Sequence, residues 1–536
     1  MQGTSDPFAR DNLPPPEQWP ELIFSRPELQ YPPRLNAAVE FLDRWVAAGR
    51  AGAPCLIAPS ESLTYGQLLD RVNRIANVLV ERLGLRPGHR VLLRSANNPM
   101  MVACYFAVLK AGGIVVATMP MLRAGELAYP IEKARVALAI CDRGIVADLE
   151  AARALAPSLR RIVTFNDSGP EGLEAMLAVA SPEFEAWDSA ADDVCLIGFT
   201  SGTTGQPKGT MHFHRDLLAV CDTYGAQVLR ARASDRFIGS PPLAFTFGLG
   251  GLVLFPLRVG ASTVLLERAG PDDLLAAIPQ YRASICFTAP TAYRAMLGKL
   301  AGVDLSSLRA CVSAGEMLPR ATYEAWLKAT GIRLMDGIGS TEMLHIFIAA
   351  RPEDIRPGAT GRPVPGYEAR IVDADGGEVA DGQIGRLAVR GPTGCRYLAD
   401  PRQTTYVEHG WNLTGDTYLR DADGYFWYQA RSDDMIISSG YNISGPEVEA
   451  ALMGHPAVGE CAVVGQADVE RGAIVTAYVV PAPGHVAGAA LAEALQDFVK
   501  ATIAPYKYPR RIEFVGELPK TQTGKLQRFR LRTPKV

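Results

Sequence analysis

The segment VCLIGFTSGTTGQPKGT, residues 194–210, joins an apolar run to a polar loop. The run VCLIGF has the length and composition of a buried β-strand, and the loop that follows is rich in hydroxyl side chains and glycine. Backbone N–H groups in such a loop can turn toward phosphate oxygens, and Lys208 adds a positive charge. The segment therefore predicts a phosphate-binding loop after a central strand. A P-loop NTPase is disfavoured, because Gly209 follows Lys208 where a Walker A loop has Ser or Thr.

Helical and strand-like patterns alternate on both sides of this segment. LLDRVNRIANVLVERLG is amphipathic, and MMVACYFAVLKAGGIVVAT passes from a helical pattern through Gly-Gly to a strand. Short apolar runs of strand length recur, namely HRVLLRSA, ALAICD, STVLLE, SICFTAP and LRACVSAG. This alternation predicts an α/β fold of mostly parallel sheets covered by helices.

The pattern changes toward the C-terminus. Residues 369–389 have closely spaced strand patterns with glycine turns, which predict a small antiparallel, barrel-like subdomain. After Arg431 a helix, two strands, a helix and a basic tail follow, as in a separate α+β unit. We therefore expect a large N-terminal lobe, residues 1–432, and a small mobile C-terminal lid, residues 433–536, with an extended arm over the first 35 residues.

Composition narrows the class of protein. Apolar residues make up 48% of the 536 residues and the net charge is −3, so nucleic acid and anionic membranes are not expected partners. The nine cysteines form no CxxC pair, which is typical of reduced thiols in a cytoplasmic enzyme, and the polar N-terminus does not resemble a signal peptide. Residues 237–257 carry no charge, but their Pro and Gly residues favour a buried pocket over a membrane span.

Five further motifs accompany the polar loop. They are LTY (63–65) followed by Leu68, GSTE (339–342), TGD (414–416), RSDD (431–434) and PKTQTGK (519–525). Taken alone, TGD or RSDD is a weak signal. In this order and spacing, however, the set resembles the acyl-adenylate-forming superfamily, which contains acyl-CoA and aryl-CoA ligases, peptide-synthetase adenylation domains and luciferases. The resemblance covers nearly the whole chain.

The resemblance implies ATP, Mg²⁺ and coenzyme A as cofactors and co-substrates. It assigns the triphosphate to the polar loop, the adenine walls to two short segments, and the ribose to an Asp and an Arg, of which the Arg could instead bind the α-phosphate. The triphosphate residues are Thr200, Ser201, Gly202, Thr203, Thr204 and Lys208. The residues of the adenine walls are Gly315, Glu316, Asp336, Gly337 and Ile338. The ribose residues are Asp416 and Arg431. For an isolated Asp and Arg, a surface ion pair would be the alternative reading.

Thr341 and Glu342 are expected to act in catalysis by holding Mg²⁺, since a carboxylate beside a hydroxyl supplies the oxygen ligands that Mg²⁺ prefers. The resemblance makes Lys525 the principal catalytic residue, because a positive charge between a carboxylate and an α-phosphate stabilises the transition state. It also makes Asp433 the hinge of the lid and Gly440 part of a tunnel for the CoA thiol. The lid would then serve acyl-AMP formation in one position and thioester formation in the other.

The expected acid is a small aromatic carboxylate. FGLGG and DGIGSTEMLHIF resemble the benzoate- and 2-aminobenzoate-CoA ligases, and the N-terminal FARDNLPPPEQWPEL resembles the 2-aminobenzoate branch. The substrate residues would be Phe245, Thr246, Phe247, Gly339 and His345, with a phenylalanine stacked on the ring. His345 could bond an ortho amine or the carboxylate, or be a core histidine. Thr246-Phe247 stands where benzoate ligases carry Ala-Tyr, so 2-aminobenzoate is preferred over benzoate and other ortho-substituted benzoates.

Two other functions stay open from the sequence. One is an aryl-adenylating enzyme that loads a carrier protein in place of CoA. The other is an inactive homologue that only binds ligands, which the presence of Lys525, Glu342 and Asp416 disfavours. The sequence does not distinguish a monomer from a homodimer.

Overall fold

A computed structural model describes residues 6–200, 206–431, 435–438, 441–468, 472–503, 505–520 and 526–532. The strands, in chain order, are β1 (Pro54–Ile57), β2 (Ser62–Thr64), β3 (Arg90–Arg94), β4 (Ile114–Thr118), β5 (Leu138–Asp142), β6 (Arg161–Phe165), β7 (Val194–Phe199), β8 (Gly209–Phe213), β9 (Arg236–Gly239), β10 (Ser262–Val264), β11 (Ile285–Thr288), β12 (Ala310–Ala314), β13 (Leu334–Gly339), β14 (Ile346–Ala349), β15 (Arg362–Pro363), β16 (Glu368–Val372), β17 (Ile384–Arg390), β18 (Val407–Glu408), β19 (Trp411–Arg420), β20 (Phe426–Arg431), β21 (Ile436–Ser438), β22 (Tyr441–Ile443), β23 (Val458–Asp468), β24 (Gly472–Pro481) and β25 (Arg511–Phe514).

Helices occupy most of the connections between these strands. The α-helices are α1 (Phe8–Asp11), α2 (Arg44–Ala47), α3 (Tyr65–Asn77), α4 (Pro99–Lys110), α5 (Ala124–Lys133), α6 (Val146–Leu155), α7 (Leu173–Leu177), α8 (His214–Val220), α9 (Thr246–Leu249), α10 (Phe255–Arg258), α11 (Pro271–Tyr281), α12 (Pro290–Leu297), α13 (Arg320–Thr330), α14 (Gln403–Tyr406), α15 (Gly445–Met453), α16 (Ala489–Thr502) and α17 (Phe529–Arg532). Four π-helical segments are Val39–Asp43, Val78–Arg82, Cys221–Val228 and Gly250–Leu254. Short 3₁₀ turns are Pro16–Gln18, Pro27–Leu29, Arg143–Ile145, Pro352–Asp354 and Pro505–Lys507.

Two large sheets form the main body of the fold. A six-stranded sheet has the order β6-β5-β3-β4-β7-β8, and its strands are parallel except for β8. A nine-stranded sheet has the order β15-β14-β13-β12-β11-β9-β10-β1-β2, with β2, β14 and β15 antiparallel to their neighbours. Every strand that the alternating pattern predicted is present, which confirms the α/β class.

The order of strands reverses once in each sheet, at β3 and at β9. In the six-stranded sheet, β4 lies on one side of β3 and β5 lies on the other. In the nine-stranded sheet, β10 lies on one side of β9 and β11 lies on the other. Loops that leave the carboxyl ends of such strands diverge and open a crevice, where ligands of α/β proteins bind. The polar loop follows β7, and residues 240–249 follow β9, so both predicted binding segments start at carboxyl ends.

The LTY motif has a structural role in this fold. Thr64 caps α3: its hydroxyl accepts from the Gln67 N–H at 3.2 Å, while the Gln67 side chain accepts from the Thr64 N–H at 2.9 Å. The neighbouring Tyr65 is buried and donates its hydroxyl to the Ala261 carbonyl at 2.7 Å. The motif therefore starts a helix and ties it to the nine-stranded sheet.

The strands β16 to β20 form an antiparallel sheet, as predicted for residues 369–389, whereas β24 and β25 farther along the chain pair in parallel. β16, β17 and β19 lie side by side, and β18 and β20 both pair with β19. Within the described residues this sheet is open, since no ladder joins its two edges. β23, β24 and β25 form a separate sheet with its own core of Val448, Leu452, Val475, Val479 and Leu495. The predicted boundary at Asp433 lies outside the described residues and stays a prediction.

Residues 237–257 form β9, an irregular turn, α9, a π-helical segment and the start of α10. Across the described part of the chain, no helix has both the length and the apolar character needed to cross a membrane. All nine cysteines are free thiols and eight are buried, in agreement with the expectation from their spacing.

Trp326 offers a test of the core behind the nine-stranded sheet. It is fully buried, and its ring meets the Tyr293 ring edge-on at 4.9 Å between centroids. We expect Trp326→Ala to lower the free energy of unfolding by about 3–5 kcal/mol, because it leaves a cavity. Lys328→Ala, an exposed change on the same helix, is the control. Equal urea midpoints for the two variants would contradict this account of the core.

Candidate active site

Glu342 lies at the centre of the polar groups that the structure brings together. It is buried, and the Tyr397 hydroxyl donates to its Oε1 at 2.6 Å. The same oxygen is 3.7 Å from the Lys208 Nζ, which also lies 4.8 Å from the centroid of the Tyr397 ring. The predicted triphosphate-binding lysine and the predicted metal-binding carboxylate are therefore neighbours, although they are far apart in sequence.

The ends of the polar loop are closed against each other. The Thr200 N–H donates to the Lys208 carbonyl at 3.0 Å, and the Lys208 N–H donates to the Thr200 hydroxyl at 3.4 Å. β7 and β8 continue this pairing as an antiparallel ladder, so the loop is a hairpin connection. Ser201, Gly202, Thr203 and Thr204 lie outside the described residues, and their contact with phosphate stays a prediction.

Thr341 meets the end of β7. A Cβ on Gly198 would lie 2.9 Å from the Thr341 Cγ2, so a larger residue here would force the Thr341 side chain to shift. The Thr341 carbonyl accepts from the Nε2 of His212, on β8, at 2.8 Å. Thr341 and Glu342 are thus held against the strands that flank the polar loop.

The two residues are suited to share a magnesium ion with a nucleotide. Mg²⁺ in such sites takes one or two protein carboxylates, and phosphate oxygens and waters complete its shell. Glu342 supplies one carboxylate next to the positive charge of Lys208, and Thr341 is the preceding residue in the chain. In the described residues, no three His, Cys, Asp or Glu side chains converge in a way that could hold a metal ion.

The predicted ribose residues face each other across β19 and β20. The Arg431 Nη1 is 3.0 Å from the Asp416 Oδ1 and 3.2 Å from the Thr414 carbonyl. Burial raises the pKa of the Asp416 carboxyl, and the charge of Arg431 opposes this rise. Gly415 has a φ of +76°, a left-handed conformation that brings the backbone close to the Arg431 guanidinium.

The predicted adenine walls lie at the ends of β12 and β13. Ala314 is in register with Gly337, so Gly315 and Glu316 leave the sheet beside Ile338. The Asp336 Oδ1 is buried and has no hydrogen-bond partner among the described residues, and burial raises the pKa of this carboxyl well above its usual range. An unpartnered oxygen here fits a ligand with a hydrogen-bond donor, such as an amino-substituted base.

A small cavity that is partly open to solvent lies between the six-stranded sheet and residues 243–249. Its walls are Tyr105, Ala117, Leu196, Ile197, Gly198, Phe199, Leu243, Ala244, Phe245, Thr246, Leu249 and Thr341. The segment above it is fixed from two sides: the Asn97 amide bridges the Pro241 carbonyl and the Leu243 N–H, each at 2.9 Å. At Gly248 a Cβ would lie only 2.1 Å from the Pro242 carbonyl oxygen.

Phe245 and Thr246 line this cavity, whereas Phe247, Gly339 and His345 are not among its walls. His345 is buried in an aromatic cluster, with ring centroids 4.6 Å from Phe255, 5.9 Å from Phe247 and 5.7 Å from Tyr224. Burial lowers the pKa of His345 to about 3, so the ring is neutral. Its nitrogens make no well-formed hydrogen bond within the described part of the chain. A contact of His345 with the acid stays a prediction.

Several groups at this site were missed in the sequence. They are Tyr397 on Glu342, His212 on Thr341, Asn97 on the segment after β9, and the Tyr105 hydroxyl, which is buried without a partner among the described residues. The only local signal was the pair of histidines in MHFH directly after the polar loop. Lys525, Asp433 and Gly440 lie outside the described residues, and their roles stay predictions.

Comparisons with known proteins show the family of the chain. The AMP-binding enzyme family matches residues 42–397, and the AMP-binding enzyme C-terminal domain matches residues 447–525. A benzoate–CoA ligase of Thauera aromatica is 39% identical over 516 residues, which cover 95% of this chain and 97% of the relative.

Two solved structures are similar over nearly the whole length. An anthranilate CoA ligase in complex with anthranoyl-AMP has a TM-score of 0.90 at 38% identity and covers 94% of this chain and 98% of its own. A benzoate CoA ligase from Burkholderia xenovorans LB400 has a TM-score of 0.84 at 34% identity and covers 93% of this chain and 100% of its own. The chain therefore belongs to the AMP-binding enzymes, within the aryl-CoA ligases of the acyl-adenylate-forming superfamily.

Proposed function

We propose that the protein is an AMP-forming aryl-CoA ligase that activates 2-aminobenzoate with ATP and transfers the acyl group to CoA. The observation that supports this proposal is that Thr341 lies between a pair of charged residues and a cavity. On one side lie Lys208 and Glu342, which suit a magnesium–triphosphate group. On the other lies the cavity lined by Phe245 and Thr246, which suits a small acid.

In the first half-reaction a carboxylate oxygen of the acid attacks the α-phosphorus of ATP, and pyrophosphate leaves. Lys208 favours the negative charge of the leaving phosphates, and Glu342 is placed to hold the magnesium ion. Magnesium, when bound, neutralises charge on the phosphate oxygens. Lys525 brings a second positive charge between the two reacting anions.

In the second half-reaction the CoA thiol attacks the acyl carbon, and AMP leaves with the electrons of the broken C–O bond. We propose that residues 433–536 rotate about Asp433 between the two steps. The rotation withdraws Lys525 from the acyl-AMP and brings Gly440, which lines the tunnel for the CoA thiol, into the site. Exchange of one lid face for another keeps water away from the reactive acyl-AMP. Asp416 and Arg431 hold the AMP ribose in both steps.

The choice of acid rests on the cavity and on the similar proteins. Phe245 supplies an aromatic ring for stacking, and Thr246 supplies a hydroxyl beside it that can bond an ortho amine. One structural neighbour holds anthranoyl-AMP, whose acyl group comes from 2-aminobenzoate. Benzoate is the second candidate, because the Thauera aromatica relative is a benzoate–CoA ligase.

The acid can be identified by ATP–pyrophosphate exchange with a panel of benzoates. We expect the highest kcat/KM for 2-aminobenzoate, lower values for benzoate and 2-hydroxybenzoate, and no exchange with short aliphatic acids. Thioester formation with free CoA, compared with a holo-carrier protein, tests the acceptor. Exchange with aliphatic acids alone would refute the aryl assignment, and transfer only to the carrier would refute the CoA ligase.

Glu342→Gln tests the nucleotide site. Loss of the carboxylate charge should lower kcat/KM for ATP by about 100-fold, since single electrostatic groups in such sites contribute about 2.7–4 kcal/mol. Tyr397→Phe, which removes only the hydrogen bond to Glu342, should have a smaller effect in the same direction. Glu324→Gln on the exposed face of α13 is the control. Identical magnesium and ATP dependence in all three variants would argue against a metal-binding role of Glu342.

Lys525→Ala separates the two half-reactions. Acyl-AMP formation should fall by at least about 100-fold, because a charge at the reacting phosphate is lost. Thioester formation from chemically prepared acyl-AMP should be retained, since that step does not use this lysine. Lys520→Ala, on the same basic segment and paired with Glu460 at 2.7 Å, is the matched control. Unchanged acyl-AMP formation in Lys525→Ala would overturn the assignment.

A further inference from the structure

A buried ion pair lies below the polar loop, outside the groups assigned to either substrate. Arg396 and Asp216 are both fully buried and are bonded to each other. The Arg396 guanidinium also lies 3.9 Å from the centroid of the Phe213 ring. Burial of such a pair is costly, and an apolar pair of similar volume is often as stable or more stable. Stability alone therefore does not explain why this pair is charged.

His212 connects the ion pair to the candidate active site. It is fully buried, its Nδ1 is 3.7 Å from the Asp216 Oδ2, and its Nε2 is 2.8 Å from the Thr341 carbonyl oxygen. A carbonyl oxygen only accepts hydrogen bonds, so the Nε2 must carry a proton. One edge of the ring thus faces the Asp216 carboxylate and the other donates to the backbone of Thr341.

Both groups that reach Glu342, Lys208 and Tyr397, adjoin the strand β8 that carries His212. β8 begins directly after Lys208 and includes His212, and Thr210 forms an antiparallel bridge with Tyr397. The Met211 N–H donates to the Arg396 carbonyl at 2.8 Å, which fixes the segment of Tyr397 against β8. Thr341 is therefore held by His212 on β8, and Glu342 is held by Tyr397 on the segment that pairs with β8.

We propose that His212, which lies beside the Asp216–Arg396 pair, is a positioning residue for the nucleotide site. It holds the backbone of Thr341 so that the Thr341 hydroxyl and the Glu342 carboxylate meet magnesium-bound ATP in one fixed arrangement. This proposal rests on the proposed roles of Thr341 and Glu342. Displacements of about 1 Å in such groups lower catalytic rates by about 100-fold, so a single backbone anchor has a measurable effect.

A purely structural role makes a different prediction. If His212 only filled space, its loss would lower the thermal midpoint and leave the affinity for magnesium–ATP unchanged in the folded fraction. A positioning role weakens magnesium–ATP binding and spares the binding of the aromatic acid. Titration calorimetry with magnesium–ATP in the absence of acid separates the two roles without any catalytic turnover.

His212→Phe and His212→Gln form the main pair of variants. Phe preserves the ring volume but cannot donate to Thr341, whereas the Gln amide can place an N–H close to the Nε2 position. We expect His212→Phe to raise the Kd for magnesium–ATP by about 10- to 100-fold, the equivalent of one lost buried hydrogen bond. His212→Gln should stay within about threefold of the wild type, and the KM for the acid should change little in both.

Two further variants protect the test against misfolding. His212→Asn keeps an amide near Asp216 but is too short to reach Thr341, so it should fold and still show the weakened magnesium–ATP binding. His214→Gln alters the other buried histidine of this segment, whose Nδ1 accepts from the Ala37 N–H at 3.1 Å, and should change stability without changing magnesium–ATP affinity.

The outcomes distinguish this proposal from the proposed function. A wild-type protein that forms no acyl-AMP with any benzoate would refute the function itself. An active wild type whose His212→Phe and His212→Asn variants bind magnesium–ATP normally would overturn the positioning role alone. Equal losses in the Gln, Asn and Phe variants would also overturn it, because the hydrogen-bond donor would then not be the decisive group.

Discussion

The contact between Gly198, at the carboxyl end of β7, and the Thr341 side chain is the constraint on which the candidate site depends. Gly198 has no side chain, so Thr341 can approach β7 closely enough to lie beside both the cavity and Lys208. β7 belongs to the six-stranded sheet and Thr341 follows β13 of the nine-stranded sheet, so this contact joins the two sheets at the site. A shift of one sheet against the other would separate the place for an acid from the place for a triphosphate.

Buried polar groups without partners surround this junction. The Asp336 Oδ1, the Tyr105 hydroxyl and both ring nitrogens of His345 have none among the described residues. An unpaired buried group costs about 1–3 kcal/mol relative to its hydrated state. A ligand that brings matching donors and acceptors recovers this free energy on binding. Some of the buried polar atoms without partners thus belong to residues proposed to bind the substrates, whereas others, such as the Trp326 Nε1, lie elsewhere in the described residues.

Glycines determine how closely the backbone can pack in the segment after β9. A Cβ at Gly250 would lie 2.2 Å from the Cδ2 of His345, and one at Gly248 would meet the Pro242 carbonyl. Both positions therefore exclude side chains, and Phe247 of α9 and Phe255 of α10 both pack against the His345 ring. Because interiors are close-packed, the cavity beside this segment has a shape that small changes in side-chain volume would alter.

The sequence by itself determined the fold class, the strands and helices, and the motifs that carry chemistry, because apolar periodicity and loop composition are properties of short windows. Lys208 could be named from the composition of its loop, and Glu342, Asp416 and Arg431 could be named because their motifs, in this order and spacing, resemble those of the superfamily. Only the tertiary structure decided the strand order, the pairing of Tyr397 with Glu342 across 55 positions and that of His212 with Thr341 across 129. These contacts depend on how two sheets pack, and no local pattern encodes the distance between residues that distant elements bring together.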